Sequence, residues 1–590
     1  MRITSGRPYG FLGKTAVFIF YILAAAGLLF SVSLFFTNYS FIARRPVSLL
    51  SPFFLASIFF LCLAALLSRG SFMETLSART ARRLNARLIL SGMILALAVI
   101  IFLLSLTRYN SYSSNFDLAI YDQIIWNTAH GRPFISSIMG DYNSLGNHFE
   151  PVLLLLAPLY WIFPSVAVLF AVQALALASA MIPLYCISKR ILQDRLLVFS
   201  VLAAYFLSRG IQGAGMFEFH TDCFLPLLVF YAYYFLIDGR RRGTVWMCLG
   251  MLLCKENSAF LIAGLGIFAF TRKESRRFGV FLIAGAVAFW IAVTKFLVPF
   301  FLGDGGTENY QYLAWLPFGP SLQDNWKVFL HNPLGFLALF FDKHRMVYYF
   351  QLLGPTGFLA LFSPAHYALF LLPAWMFVLG SFGHLGLLNI MAQYSAHTVP
   401  AIFIAAISGL SFLRKKLSVK LPGHKERIVL ILSLYTVFCA AGFYGKTSGH
   451  RISKFVKAGR ENGAREISSA LDKYIPKEAS VTSTINLSAH LSHRQKLYLL
   501  EEMQADTNYP QWKNVRVSGA PLPENALISR QRYESDYIVA HKKFSGNDFA
   551  DEIDRILKHR YVEVYRDNSG GLLIFKKSRN QILDPSLRSG

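Results

Sequence analysis

The residues of this chain best equipped for chemistry fall in four short stretches and one basic run. The first stretch, RYNSYSSNFDLAIYDQIIWNTAHGRPFISSIMGDYNSLGNHFE (108–150), holds Asp117, Asp122, His148 and Glu150 between apolar segments. The second, EFHTD (218–222), offers Glu218, His220 and Asp222, and the third, CKENS (254–258), offers Lys255 and Glu256. The fourth, QYSAHTVP (393–400), contributes Gln393, Tyr394 and His397, while Arg345 closes the run Lys343-His344-Arg345. A carboxylate in such a setting can take a proton from a hydroxyl, and a cation can hold a departing negative charge.

Each of these residues also has an ordinary structural use. Ser114-Asn-Phe-Asp117 has capping-box spacing, so Asp117 can simply satisfy free amides. A helix over about 115–129 follows, ended by Gly131-Arg-Pro133 and short and polar enough to lie at the interface with Trp126. Asp122 sits mid-helix, where no cap is needed, and five residues place it about 140° from Asp117 on a regular helix. The two acids then share neither a proton nor a metal; one acts as a base and the other orients or binds. Glu150 before Pro151 fits helix-start chemistry, whereas His148 has no such use beyond that of a common exposed histidine.

Glu218, His220 and Asp222 begin a helix whose dipole favours acids, with Glu218 and Asp222 on one face at i,i+4. A divalent metal could bind there, although so short a motif is weak support. Lys255 and Glu256 can neutralise each other at a helix break, yet an ionisable pair inside an apolar run is by default functional. His397 and the 343–345 run stand at the ends of spans, where an anionic lipid head would lie. Snorkelling explains Lys343 and Arg345 equally well.

The elements that must position these groups are membrane helices. The 590 residues are 54% hydrophobic and only 15% charged. Apolar runs at 16–36, 49–67, 88–106, 166–187, 280–302 and 428–443 approach the roughly 20 residues that cross a hydrocarbon core. The fold class is an α-helical polytopic membrane protein, with about 11–13 membrane helices by this reading. Its first span, without a small-residue cleavage site, reads as a retained helix. The six cysteines all lie in apolar segments, which suggests neither a disulfide framework nor a zinc site.

The net charge of +25 does not imply nucleic acid, because it collects in short clusters between spans. These are Arg79/Arg82/Arg83/Arg87, Lys189/Arg190, Arg240–Arg242, Arg272/Lys273/Arg276/Arg277 and Arg414–Lys416. The positive-inside rule puts them in the cytoplasm, with the N-terminus, and puts the 108–150 loop outside the cell membrane; Arg44 and Arg45 dissent.

With that orientation the membrane domain is 1–445. Crossings fall near 15–37, 47–67 and 87–107, then 165–187, 195–209 and 217–237. The run 246–270 lies between two basic clusters; a hairpin of half-length helices with CKENS at its tip keeps both inside, and one long span does not. A second outer loop, 303–345, precedes spans near 347–362, 366–381, 393–413 and 428–445. The remainder, 446–590, reads as a small extracytoplasmic α/β domain. It has strands at 480–485, 537–540, 561–566 and 572–575, a hairpin through Asn568-Ser-Gly-Gly571, and a helix over 551–560.

Taken together, FDLAIYDQIIWNTAHGRPF (116–134), NHFEPVLLLLAPLYWIFPS (147–165), EFHTD (218–222), LLCKENS (252–258) and QYSAHTVP (393–400) resemble the membrane proteins grouped as domain of unknown function 2079. The resemblance spans roughly 85–580 and includes NLSAHLSHR (486–494) and DYIVA (536–540). That family is in turn similar to the GT-C glycosyltransferases, multi-span enzymes that take a sugar from a polyprenyl-phosphate carrier at the outer face. Their hallmark is an acid on a juxtamembrane helix of the first large outer loop. The resemblance therefore implies a catalytic role for Asp117 or Asp122, with Asp117 as base by its place in the loop. The adjacent Asp-Asp or Asp-Glu pair of several GT-C families is missing here, which leaves the choice of acid open.

By the same resemblance His148, Glu150, Glu218, His220 and Asp222 would shape the sugar and acceptor site. Lys255, Arg345 and His397 would hold the phosphate, beside Glu256, Gln393 and Tyr394. The implied partners are a polyprenyl-phosphate sugar, the lipid bilayer and an acceptor glycan, lipid or protein. No cofactor is implied, and a divalent metal stays compatible. Two rivals are a lipid or polyisoprenoid transporter or flippase, and a non-catalytic envelope-assembly protein. A transporter would show pseudo-repeated halves, of which the sequence has no trace. A scaffold would not need the acids.

Overall fold

The computed structural model describes residues 85–139, 143–302, 316–318, 322–444, 448–500, 535–541, 561–567 and 571–578. The spans expected at 15–37 and 47–67, the helix expected at 551–560 and most of 303–321 lie outside the described residues.

In chain order the main helices are α1 (Ala86–Asn110), α2 (Phe116–Ala129), α3 (Pro151–Ile162), α4 (Val166–Leu192), α5 (Arg195–Met216) and α6 (Thr221–Ile237). They continue as α7 (Arg241–Cys254), α8 (Ser258–Phe270), α9 (Lys273–Leu302), α10 (Lys343–Leu353), α11 (Pro364–Gly380), α12 (Ser395–Lys420) and α13 (Lys425–Tyr444). Then follow α14 (Ser448–Glu461) and α15 (Ala464–Tyr474). Among the described residues α1, α4, α5, α9, α12 and α13 are long and apolar enough to cross a membrane, and α3, α6, α8 and α11 are shorter apolar helices.

Burial separates the inside of this bundle from its lipid face. Leu97, Leu177, Tyr205, Phe230 and Ile404 from five helices are buried in one continuous core. Leu95 on α1 and Phe300 on α9 are 66% and 77% exposed, which suits hydrocarbon and not water. α12 is the central helix and packs against α6, α11 and α13. It approaches its neighbours closely where it is smallest: a Cβ on Gly409 would collide with the Leu359 carbonyl oxygen.

The hairpin form of the 246–270 run is what the structure adopts. α7 and α8, of 14 and 13 residues, are each about 20 Å long. Lys255 is extended (φ −168°, ψ 146°) and interrupts the helix between them. Arg241 donates to the Glu274 carbonyl at 3.2 Å, so the basic clusters on the two sides of the run meet at one end. The same end holds the Arg190–Asp238 pair and Arg414, which donates to the Leu192 carbonyl.

The span expected near 347–362 does not form. α10 stops at Leu353, and 354–366 runs through three short 3₁₀ turns. Gly357 and Phe358 both lie in the left-handed region (φ 63° and 55°), which a right-handed α-helix cannot contain, and Pro355 removes an amide donor beside them.

Among the described residues the C-terminal unit forms a five-stranded sheet of order β2-β1-β3-β5-β4. Its strands are β1 (Val481–Ser483), β2 (Leu497–Leu499), β3 (Tyr537–His541), β4 (Tyr561–Arg566) and β5 (Leu572–Lys577). β1 pairs parallel with β2 and β3, whereas β5 pairs antiparallel with β3 and β4. Four of these strands match the sequence reading; β2, three residues long, does not appear in it. The sheet docks on the 108–150 segment. Ser137 Oγ donates to the Leu497 carbonyl at 2.9 Å and accepts from its amide at 2.8 Å. His490 stacks on Tyr109 and Tyr112 with ring centroids 3.9 and 4.0 Å away.

Candidate active site

The acids of three separate segments converge at the end of the bundle opposite the basic loops. α2 begins at Phe116, with Asn115 at its N-cap and no side-chain cap bond. The capping-box expectation for Ser114 and Asp117 is therefore not met. The free amide of Asn115 donates instead to Glu218 Oε1 at 2.8 Å, a carboxylate 103 residues away that no local pattern could announce. Glu218 is also paired with Arg108 at 2.6 Å, and Arg108 donates to the Met216 and Ser113 carbonyls, both at 3.1 Å.

A second group is built around Lys255. Its extended backbone at the hairpin tip carries the ammonium into a dry space (the side chain is 3% exposed), 3.2 Å from Asp222 and 3.5 Å from Glu150. Glu150 further accepts from Tyr121 Oη at 2.9 Å and Thr221 Oγ1 at 2.7 Å. Burial pushes the Glu150 carboxyl upward, with Lys255 and His148 opposing. His397 Nδ1 lies 3.1 Å from the other Asp222 oxygen, and its Nε2 is 2.7 Å from Asn257 Oδ1. Glu256 faces the opposite way, 3.1 Å from His148 Nδ1, and accepts from the Phe149 amide at 2.9 Å. The hairpin tip is thus pinned to the end of the 108–150 loop.

Asp117 is placed differently from all of these. Among the described residues it accepts no hydrogen bond, and a quarter of its side chain is exposed. Its nearest ionisable partner is His220 Nε2, 3.8 Å away. The other ring nitrogen of His220 lies 3.0 Å from the Glu218 carbonyl, an acceptor only, so Nδ1 carries the proton. In the neutral ring the Nε2 lone pair therefore points toward Asp117. Burial, and then the Glu218 charge, push the Asp117 carboxyl up to about 7 against the pull of Lys255 and Arg108.

Asp122 does not join this group. As the 140° separation anticipates, it faces another way, fully buried. It accepts from Tyr160 and from Ser492 of the C-terminal unit, and lies 3.0 Å from His493. Arg345 is also apart: it pairs with Asp342 at the start of α10, and its guanidinium lies 3.5 Å over the Phe382 ring. Gln393 and Tyr394 are near the N-terminus of α12, with the Tyr394 ring 5.2 Å from that of Phe377. Among the described residues no group of three His, Cys, Asp or Glu donors is arranged to hold a metal ion.

Arg108, Tyr121, Thr221 and Asn257 belong to the site and escaped the sequence reading. Asn257 carried a signal, since it adjoins Lys255 and Glu256 in CKENS. Ser492 and His493 carried none toward Asp122, about 370 residues earlier in the chain.

Residues 108–547 match the model of DUF2079, described as predicted membrane protein. The chain belongs to that family. All the acids described here lie within the matched residues. No curated protein matches this DUF2079 chain. Two solved structures align with 83% of it and with 98% of their own chains. They are ArnT from Cupriavidus metallidurans bound to undecaprenyl phosphate (14% identity, TM-score 0.43) and the same protein in the apo state (13%, 0.42).

Proposed function

We propose that this DUF2079 protein transfers a sugar from a polyprenyl-phosphate-linked donor to an acceptor hydroxyl at the outer face of the cell membrane, with Asp117 as the base. In that reaction the acceptor oxygen bonds to the anomeric carbon as the bond from that carbon to the phosphate oxygen breaks. The acceptor proton goes to Asp117, and the lipid phosphate leaves with the bonding electrons.

One observation carries the reading. Glu150, Glu218, Asp222, Glu256 and Asp122 are each held by hydrogen bonds or ion pairs, whereas Asp117 is open to a reactant and titrates near neutrality. A general base is most effective with a pKa near the working pH. Glu150, Glu218, Asp222 and Glu256, with Lys255, His148 and His397, form the walls of the site and fix the approach of the hydroxyl. The resemblance noted in the sequence supplies the donor class. On this reading the C-terminal unit, held to α2 by Ser492 on Asp122 and by Gln123 on the Arg494 carbonyl, stands on the outer side with the site.

The test is turnover by the purified full-length protein in nanodiscs with polyprenyl-phosphate hexoses and pentoses. The reading expects release of the lipid phosphate together with a glycosylated acceptor. Binding without turnover of any sugar in the panel, with every natural acceptor extract tried, would count against an enzyme.

A further inference from the structure

Among the described residues, two arginines beside the acid cluster have no carboxylate against them. Arg209 lies in the last two turns of α5, and Arg451 lies in α14, the first helix after the bundle. Both reach the same methionine: Arg209 Nε is 3.1 Å and Arg451 Nη2 is 3.8 Å from Met391 Sδ. Arg451 Nη1 lies 3.1 Å from Met216 Sδ. Among the described residues neither guanidinium has a carboxylate partner. The polar neighbours are otherwise engaged, since Tyr444 donates to Gln212 Oε1 at 3.0 Å and Gln212 donates to the Phe206 carbonyl at 2.6 Å.

Two half-buried cations side by side repel, and thioether sulfur is a weak acceptor for a guanidinium. The arrangement is completed by an anion. Planar guanidinium forks suit a tetrahedral oxyanion with several acceptor oxygens, and methionine side chains are flexible enough to yield the space. Lys255 and His397 stand against acids instead. The site borders the acid cluster through Met216, whose carbonyl accepts from Arg108 while its sulfur meets Arg451.

We infer that Arg209 and Arg451 together form a phosphate-binding site joining the membrane bundle to the C-terminal unit. The inference rests on these contacts and holds whichever reaction the acids perform. The ligand chemistry is a phosphoryl group, carried by a lipid or free in solution.

The experiment uses the full chain in maltoside micelles, which contain no phosphate. It follows tryptophan fluorescence during titration with inorganic phosphate, a polyprenyl phosphate and the matching polyprenol. The wild type is expected to bind the polyprenyl phosphate, and R209Q and R451Q to weaken it at least tenfold without changing polyprenol binding. R451K keeps the charge and serves as a second variant, expected between the two. Competition by inorganic phosphate shows that the free ion suffices; its absence assigns the site to a lipid-borne phosphate, and either supports the inference. Wild-type affinity in both glutamine variants, or no binding of either phosphate by the wild type, overturns it.

Discussion

Replacing Lys255 with methionine is the perturbation whose outcome the structure fixes most closely. The ammonium is 3.2 and 3.5 Å from two buried carboxylates. At an effective dielectric constant near 20, each contact is worth about 5 kcal/mol of direct attraction. Most of that offsets the cost of taking three charges out of water, so the net loss follows the experience with other buried pairs. Removing one partner typically costs about 3–5 kcal/mol, because the survivor is left charged and dry. Here two survivors remain, and one of them takes up a proton. At about 2–4 °C per kcal/mol for a large domain, the melting temperature should fall by roughly 6–20 °C. The assay is thermal unfolding in detergent of K255M, D222N and the double variant at neutral pH. The cycle should show coupling of at least about 1 kcal/mol, with D222N partly rescuing K255M. A K255M protein that melts like the wild type, or single effects that simply add, would refute the account of the hairpin tip as an electrostatic anchor.

Three further predictions follow from separate parts of the fold. Gly409→Ala should destabilise by about 1–3 kcal/mol and lower the yield of folded protein, because its Cβ would meet the Leu359 carbonyl; unchanged melting would contradict the packing of α12. Asp122 raises His493 above its ordinary value, although burial pulls the other way. A raised folded value means the stabilisation is full below the unfolded histidine pKa and is lost as pH rises through the folded value. Hydrogen exchange of 486–494 should therefore be faster at high pH than at pH 6, after correction for intrinsic rates, and S492A should be less protected at both; equal protection at both pH values would contradict the link. Finally, cysteines placed at Arg242 and Lys273 should react with an impermeant thiol reagent from the same side of a sealed vesicle. Opposite-side labelling would mean that α7 and α8 cross as a single span.

What the sequence disclosed, and what it hid, divides along the range of the interactions. The extent of α2 was legible from Gly131 and Pro133 because helix termination is local, and the hairpin was legible because charge clusters bias both ends of an apolar run. The capping of Asn115 by Glu218 was not, since the donor and acceptor are 103 residues apart. The broken 347–362 segment looked apolar enough for a span, but composition does not register the left-handed turn at Gly357 and Phe358. Asp117 and Asp122 stand together in the sequence as the acids on the helix of the first outer loop. Tertiary contacts separate them, one toward His220 and one toward Ser492 and His493. Arg345 and His397 were paired as cations by their places at span ends, yet only His397 reaches an acid of the cluster.

The central claim is that Asp117 is the base, and the pH–rate profile of Asp117→Asn tests it most directly. With a labelled polyprenyl-phosphate sugar and its acceptor, the wild-type kcat/KM should rise with pH and level off above about 7, as Asp117 loses its proton. The asparagine variant should fall by about 10²–10⁴-fold and lose that rise, while its melting temperature stays close to the wild type. A variant that keeps both the rate and the inflection near neutrality contradicts the assignment and returns the role to another acid of the cluster.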